Sequence, residues 1–133
     1  MPLDLIILVN KIRAALPGVV AVYLFGSSAA GEDGAQSDID LAILNRSPIS
    51  SVACWDLAQD LASEAGRDVD VVDLRAASTV MRAQTIANGH RLYCANEREC
   101  TEFEDYVFSA YARFNEGRRG ILQDIRRRGS VYG

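Results

Sequence analysis

Two apolar runs flank a glycine- and alanine-rich stretch in residues 19–44, which read VVAVYLFGSSAAGEDGAQSDIDLAIL. The first run, Val19–Phe25, is apolar at nearly every position, which is typical of a strand that is central in its sheet and buried on both faces. The second run, Ile39–Asn45, predicts another strand. Residues 26–37 are predicted to form the turn between them, with room for one short helix. The segment therefore indicates a sheet built around a glycine-rich loop.

The loop and the head of the second strand carry groups that suit phosphate and metal chemistry. Gly26 lets the backbone turn sharply and approach a ligand without a Cβ clash. Ser27 brings a hydroxyl donor to a turn whose free N–H groups can face an anion. Asp38 and Asp40 project to the same side of their strand, whereas Ile39 faces the opposite way. Two adjacent carboxylates repel each other, and a hard cation such as Mg²⁺ removes that conflict. The segment therefore predicts a phosphate site beside a divalent-cation site.

Each of these short patterns also has an ordinary structural interpretation. A Gly-Ser pair is a common turn, and an isolated Asp-x-Asp is usually a solvated strand end. The joint order of strand, Gly-Ser, short loop, Ser-Asp-x-Asp and strand favours the functional interpretation, because the flanking structure is what confirms a motif. Ten residues separate Ser27 from Asp38, and Ser37, which immediately precedes Asp38, is included among the predicted phosphate-binding residues.

The rest of the chain alternates helical and strand patterns. Helices are predicted over residues 3–16, 49–65 and 97–128, and a further helix is predicted to be capped by Ser78, to run to Asn88 and to be closed by Gly89. Further strands are predicted over 68–74 and, as a short edge strand, over 92–93. The second helix is predicted to begin after an N-cap at Ser47 and to end at Gly66. Its apolar face is expected to carry Val52, Trp55, Ala58, Leu61 and Ala62.

These elements predict an α/β (α+β) fold with a short mixed β-sheet, helices packed mainly on one side and a long C-terminal helix. We expect a single domain, with a core over residues 1–95 and the C-terminal helix over 96–133. That helix either packs on the core or docks a partner.

Composition and charge limit the possible classes of protein. The chain has 133 residues, 49% of them hydrophobic, and a net charge of −4, which suits one compact domain with a core. The acidic balance argues against a duplex-binding surface and against RNA polyadenylation. No run approaches the length of a membrane span and no signal-peptide pattern is present, so a cytoplasmic location is expected. Cys54, Cys94 and Cys100 have no zinc-ligand spacing and no close pairing, which fits reduced thiols.

The pattern of Gly26-Ser27 followed by Asp38 and Asp40 resembles the signature of the nucleotidyltransferase superfamily typified by DNA polymerase beta. Within it, the chain is similar to the minimal nucleotidyltransferases of the MNT type, which are often encoded beside a HEPN-domain partner. Further resemblance lies in residues 55–62, 68–75 and 89–93, which read WDLAQDLA, DVDVVDLR and GHRLY. One departure is Ala30, which stands where many relatives carry an Arg near the phosphates.

The resemblance implies the small nucleotidyltransferase fold and an enzyme that uses ATP as substrate with two Mg²⁺ ions. It implies that Asp38 and Asp40 bind both ions. It also implies that a third acid on a neighbouring strand, Asp70, binds one ion and takes or directs the proton of the attacking hydroxyl. Asp68 shares a strand face with Asp70 and is the alternative third acid, whereas Asp73 is expected to be a strand-end residue.

The acceptor implied by the resemblance is a tyrosine hydroxyl on a HEPN-family ribonuclease toxin, so that the chain acts as an antitoxin by AMPylation. The C-terminal helix is the candidate docking element, unless its apolar residues simply cover the sheet. Two other functions stay open: a non-catalytic antitoxin that acts by binding alone, and a nucleotidyltransferase acting on a small hydroxyl compound. The candidate docking residues are Phe103, Tyr106, Arg113, Phe114, Arg118 and Arg119.

Overall fold

The computed structural model describes residues 3–26 and 38–127, with side chains described as far as residue 117. Within this part of the chain, four strands form one sheet: β1 (Val19–Phe25), β2 (Ile39–Asn45), β3 (Val69–Asp73) and β4 (His90–Cys94). The sheet order is β3-β2-β1-β4. Strand β1 pairs antiparallel with β2 and β4, and β2 pairs parallel with β3. The helices of the described residues are α1 (Leu3–Ala15), α2 (Ser51–Ala65), α3 (Thr79–Asn88) and α4 (Glu97–Arg127).

The predicted fold class is confirmed, since the sheet is short and mixed and the chain closes with a long helix. The apolar strand β1 is central, as its composition predicted, and β4 is an edge strand. The short helix that the sequence allowed between β1 and β2 lies outside the described residues.

The helices cover both faces of the sheet, which corrects the expectation that they pack mainly on one. On one face, Leu8 and Ile12 of α1 and Leu57 and Leu61 of α2 pack in the same core cluster as Leu41. On the other face, a second cluster contains strand residues of the opposite parity together with residues of α3 and α4. Because side chains alternate across a strand, β1 and β2 bury both of their faces only if helices lie on each side. The second cluster includes Ala21, Tyr23, Ala42, Leu44, Ile86, Cys100 and Phe103.

Helix α2 begins later than predicted, because a buried carboxylate holds the preceding segment. Asp73 is 6% exposed, and its Oδ2 accepts a hydrogen bond of 3.0 Å from the Ile49 backbone N–H. The N-cap is therefore Ser50, not Ser47, and the Ser50 hydroxyl accepts from the Ala53 N–H. The predicted stop at Gly66 is confirmed, with φ of 66° at that residue.

Helix α4 is anchored near its start by buried and hydrogen-bonded side chains. Cys100 is fully buried and Val107 is 1% exposed. The hydroxyl of the buried Tyr23 donates to Glu104 Oε1 at 3.3 Å, and burial, with the Glu104 charge second, raises the pKa of Tyr23. None of the helices within residues 3–26 and 38–127 is apolar enough over a sufficient length to cross a membrane.

Two of the three thiols come together, which the sequence spacing did not indicate. Cys94 Sγ at the end of β4 lies 2.6 Å from Cys100 Sγ in α4, and all three cysteines are free thiols. The expected reduced thiols are therefore found, and the turn between β4 and α4 brings the side chains of Cys94 and Cys100 into contact.

Candidate active site

Three of the predicted site residues lie at one edge of the sheet, on neighbouring strands. In the strand register, Asp40 of β2 is paired with Phe25 of β1 on one side and with Asp70 of β3 on the other. Gly26 directly follows Phe25, so the order across this edge is Gly26, Asp40 and Asp70. The parallel pairing of β2 with β3 brings the two acidic positions together, because both lie near the start of their strands.

The two carboxylates of this edge interact directly. Burial raises the pKa of Asp40 above its ordinary value, and the negative charges of Asp70 and Asp38 raise it further. The side chain of Asp70 lies close enough to that of Asp40 to share a proton with it, which adds to the rise in the pKa of Asp40. The site thus holds one half-buried carboxyl group close to two negatively charged side chains. Such a cluster is a favourable place for a cation.

Gly26 contacts the carboxylate of Asp40 so closely that an added Cβ atom would overlap it unless the Asp40 side chain moved. Its φ is 77°, in the left-handed region. A Cβ atom at this position would lie 3.1 Å from Asp40 Cγ and deep inside van der Waals contact with Oδ2. Glycine is therefore needed here both for its backbone conformation and for the close approach to the acid. Sequence reasoning predicted the first requirement and not the second.

Asp38 and Asp68 are the other predicted site residues that the structure describes. Asp38 precedes β2, is exposed, and is near enough to raise the pKa of Asp40. Ser27, Ser37 and Ala30 lie outside the described residues. Asp68, the alternative third acid, precedes β3, and its carbonyl accepts from the Ile39 backbone N–H at 2.9 Å.

The acidic side chains of this site suit a magnesium ion. Carboxylate oxygens are the ligands that Mg²⁺ prefers, and it usually binds one or two of them together with substrate phosphates. Asp40 and Asp70 are in contact and Asp38 is close, so the residues fit such an ion. Among the described side chains, no three His, Cys, Asp or Glu residues already converge as a complete metal-binding group. Carboxylates without a bound cation are not expected to converge in this way, because they repel one another.

Asp73, although acidic and on the same strand as Asp70, does not belong to this site. Its two carboxylate oxygens accept from the backbone N–H groups of Ile49 and Arg75, each at 3.0 Å. It therefore links the end of β3 to the segment before α2. This is a structural role at the strand end, as expected.

Sequence reasoning missed a feature beside Asp70, which is the position of Trp55. The periodicity of α2 predicted Val52 and Trp55 on the buried face, but they are 69% and 64% exposed. The buried residues of α2 are Leu57, Ala58 and Leu61. Val52 and Trp55 therefore lie outside the part of the helix that packs in the core. Trp55 lines a cleft of about 590 Å³ together with Asp70.

The aromatic residues of α4 divide into two groups. Phe103 is half-buried and packs against the core, so it is not an exposed docking residue. Tyr106 and Phe114 are 58% and 43% exposed, and Arg113 is exposed as well. The side chains of Arg118 and Arg119 lie outside the described part of the chain.

Comparison with known proteins agrees with this geometry. Residues 8–98 match the family described as polymerase beta, nucleotidyltransferase. The protein adenylyltransferase MntA of Shewanella oneidensis is 36% identical over 118 residues, which are 89% of this chain and 84% of that protein.

Two solved structures show a similar fold over nearly the whole chain. A crystal structure of a toxin-antitoxin with AMP-PNP matches with a TM-score of 0.81 at 35% identity, over 93% of this chain and 98% of the matched chain. The structure of a tri-AMPylated Shewanella oneidensis HEPN toxin in complex with MNT antitoxin matches with a TM-score of 0.77 at 33% identity, over 92% of this chain and 96% of the matched chain.

Proposed function

The chain belongs to the polymerase beta nucleotidyltransferase family, and we propose that it is a protein adenylyltransferase that acts as an antitoxin. In this proposal it transfers AMP from Mg-ATP to a tyrosine hydroxyl of a HEPN-family toxin and thereby neutralises the toxin. The similarity to MntA and to an MNT antitoxin in complex with an AMPylated HEPN toxin supports a HEPN-family protein as the acceptor.

The observation that carries the proposal is the row formed by Gly26, Asp40 and Asp70 on adjacent strands. A glycine in the left-handed conformation stands against the acid of β2, and that acid is paired across the strands with the acid of β3. Two carboxylates in contact, with Asp38 beside them, are costly for a protein that only binds a partner. They are useful to an enzyme that must hold cations against a triphosphate.

The proposed reaction is an in-line displacement at the α-phosphorus of ATP. The tyrosine oxygen forms a new bond to that phosphorus, the bond to the bridging oxygen breaks, and pyrophosphate leaves with its electron pair. The proton of the hydroxyl passes to the Asp70 carboxylate, which acts as the general base. Gly26, Ser27 and Ser37 are proposed to hold the phosphates through backbone N–H and hydroxyl donors.

Asp38, Asp40 and Asp70 are the residues proposed to hold two Mg²⁺ ions. Such ions, when bound, neutralise the charge of the phosphates and orient them for displacement. The contribution of the chain itself is position: the sheet holds the acids and Gly26 in fixed register, so little reorganisation is needed during the reaction.

Partner docking is proposed to involve α4. Tyr106 is 58% exposed on this helix, and exposed aromatic and Arg side chains are the types that contribute most to protein interfaces. Phe103 and Val107 face the core instead and hold the helix in place. The helix would thus present one face to the toxin while the other covers the sheet.

The test uses the protein, the product of its neighbouring gene as the expected HEPN-family partner, Mg²⁺ and ATP, with intact masses as the readout. The partner is expected to gain one or more AMP units with wild-type protein and none with Asp38→Asn or Asp40→Asn. Asp60→Asn, on the exposed surface of α2, is the matched control and should transfer AMP normally.

The outcomes separate the competing functions. An unmodified partner whose ribonuclease activity is nevertheless suppressed would indicate an antitoxin that acts by binding alone. Parallel reactions with small hydroxyl compounds would reveal an enzyme of the small-molecule class. Full transfer by both Asn variants would overturn the site assignment.

A further inference from the structure

A cleft of about 590 Å³ lies between the first turns of α2 and the outer edge of β3. We propose that it receives the acceptor tyrosine of the partner, held by an extended segment of the partner chain, with Trp55 against the phenol ring and Asp70 at its hydroxyl. This inference rests on the proposed function and adds to it the place and the recognition of the acceptor. The cleft is lined by Cys54, Trp55, Ala58, Asp70, Val72 and Ala77, among others.

The order of residues across the sheet determines the side from which the acceptor must approach. Gly26 follows β1, Asp40 lies on β2 and Asp70 lies on β3. In an in-line displacement the attacking and leaving oxygens lie on opposite sides of the phosphorus. If the leaving pyrophosphate is held at Gly26, the attacking hydroxyl comes from the β3 side, where the cleft lies.

The chemistry of the cleft suits a tyrosine side chain. Trp55 is 64% exposed, and an indole ring packs well against a second aromatic ring in an offset or edge-to-face arrangement. Of the two acids that line the cleft, Asp73 is occupied by the backbone N–H groups of Ile49 and Arg75. Asp70 also contacts Asp40, but its side chain is exposed, and it is therefore the carboxylate that a phenol hydroxyl can reach.

The outer side of strand β3 supplies a way to hold the acceptor segment. Within the described residues, β3 pairs with β2 on one side only, and residues 70–73 of this strand line the cleft. The outer backbone groups of an edge strand can hydrogen-bond an added extended segment, with side-chain pockets providing specificity. A flexible or extended part of the partner thus has both a backbone template and an aromatic contact.

The nucleotide has room elsewhere. A second cavity, of about 500 Å³, lies next to Gly26 and is lined by residues of α3 and the turn before β4. It includes Phe25, Met81 and Thr85. A nucleoside on that side leaves the cleft at β3 open for the acceptor. The competing occupant of the cleft is the nucleobase, packed against Trp55, and the experiment must exclude it.

The experiment compares Trp55→Ala with Val52→Ala. Val52 is 69% exposed on the same helix but does not line the cleft, so it is a matched control. Initial rates of AMP transfer are measured over a range of partner concentrations, and Mg-ATP binding to each variant is measured by calorimetry. Trp55→Ala is expected to raise the KM for the partner about tenfold, as loss of a central aromatic contact does, with ATP affinity unchanged. Trp55→Phe should restore most of the loss, and Val52→Ala should resemble wild type.

Each other outcome overturns the inference. Weaker ATP binding by Trp55→Ala with an unchanged KM for the partner would assign the cleft to the nucleobase. Unchanged kinetics would mean that the acceptor lies elsewhere, and an equal effect of Val52→Ala would indicate a partner contact with α2 outside the cleft. If wild-type protein transfers no AMP to the partner, the proposed function itself fails, and this inference with it. Because Trp55 is mostly exposed, thermal melting should show all three variants folded.

Discussion

Replacing Gly26 by alanine tests whether the close contact between this glycine and Asp40 is part of the catalytic geometry. The substitution has two separable effects. A Cβ atom costs about 1–2 kcal/mol in the left-handed backbone region, and about 0.4–1 kcal/mol of this is offset because alanine restricts the unfolded chain. The net loss in unfolding free energy is therefore about 1 kcal/mol, or about 3–5 °C in melting temperature for a chain of this size.

The second effect is a displacement of the Asp40 side chain. The new Cβ would lie 3.1 Å from Asp40 Cγ and much closer to Oδ2, whereas ordinary contacts lie at about 3.5–4.0 Å. The short carboxylate side chain can yield by rotating, by about 1 Å, so the additional cost in stability is small. A misplacement of about 1 Å in a catalytic group costs on the order of 100-fold in rate. We therefore expect Gly26→Ala to fold and to transfer AMP about 100-fold more slowly.

Gly66 provides the control for the stability cost of placing alanine in a left-handed backbone conformation. Its φ is 66°, also in the left-handed region, and an added Cβ would meet no atom within 4 Å. Gly66→Ala should therefore lose a similar amount of stability and keep full activity. The assays are thermal melting and the initial rate of AMP transfer followed by intact mass. Transfer by Gly26→Ala within about threefold of the Gly66→Ala rate would refute the reasoning, because the contact would then have no catalytic consequence.

Further predictions concern stability and reactivity. Ser50→Ala should lower the unfolding free energy by about 1 kcal/mol in denaturant titration, since it removes the N-cap of α2, and an unchanged midpoint would contradict this. Burial, chiefly, raises the pKa of Cys100 to about 12, so N-ethylmaleimide should label this thiol at pH 8 far more slowly in the native protein than in denaturant, as peptide mass mapping will show. Asp40→Asn should raise the melting temperature by about 1–4 °C at pH 7 in EDTA, because opposed like charges on paired strands cost about 0.2–1 kcal/mol. The raised pKa of Asp40 sets the sign of the pH dependence. The destabilisation by Asp40 grows as its carboxyl ionises with rising pH, so the increase in melting temperature should vanish near pH 4 or below. An increase that stays constant with pH would count against this cause.

Much of the site was predictable because its parts depend on local patterns. The alternation of side chains along β2 was enough to predict that Asp38 and Asp40 share a face opposite Ile39, and Ile39 is buried at 3% exposure. The cap at Ser78 and the boundary at Gly89 also follow from local chemistry, and both are found in the structure. The N-cap of α2 was predicted wrongly at Ser47, because the decisive hydrogen bond comes from Asp73, 24 residues away from Ile49 along the chain.

The sequence by itself determined the strand-loop-strand order around Gly26, the acids available to a metal and the class of fold, since these depend on periodicity and residue chemistry over short distances. Only the tertiary structure decided that Asp40 lies opposite Asp70, that Gly26 stands against Asp40, and that Trp55 is exposed beside Asp70. These relations depend on the register between strands and on how α2 is placed against β3. Both are set by the packing of segments distant in sequence, which no local pattern specifies.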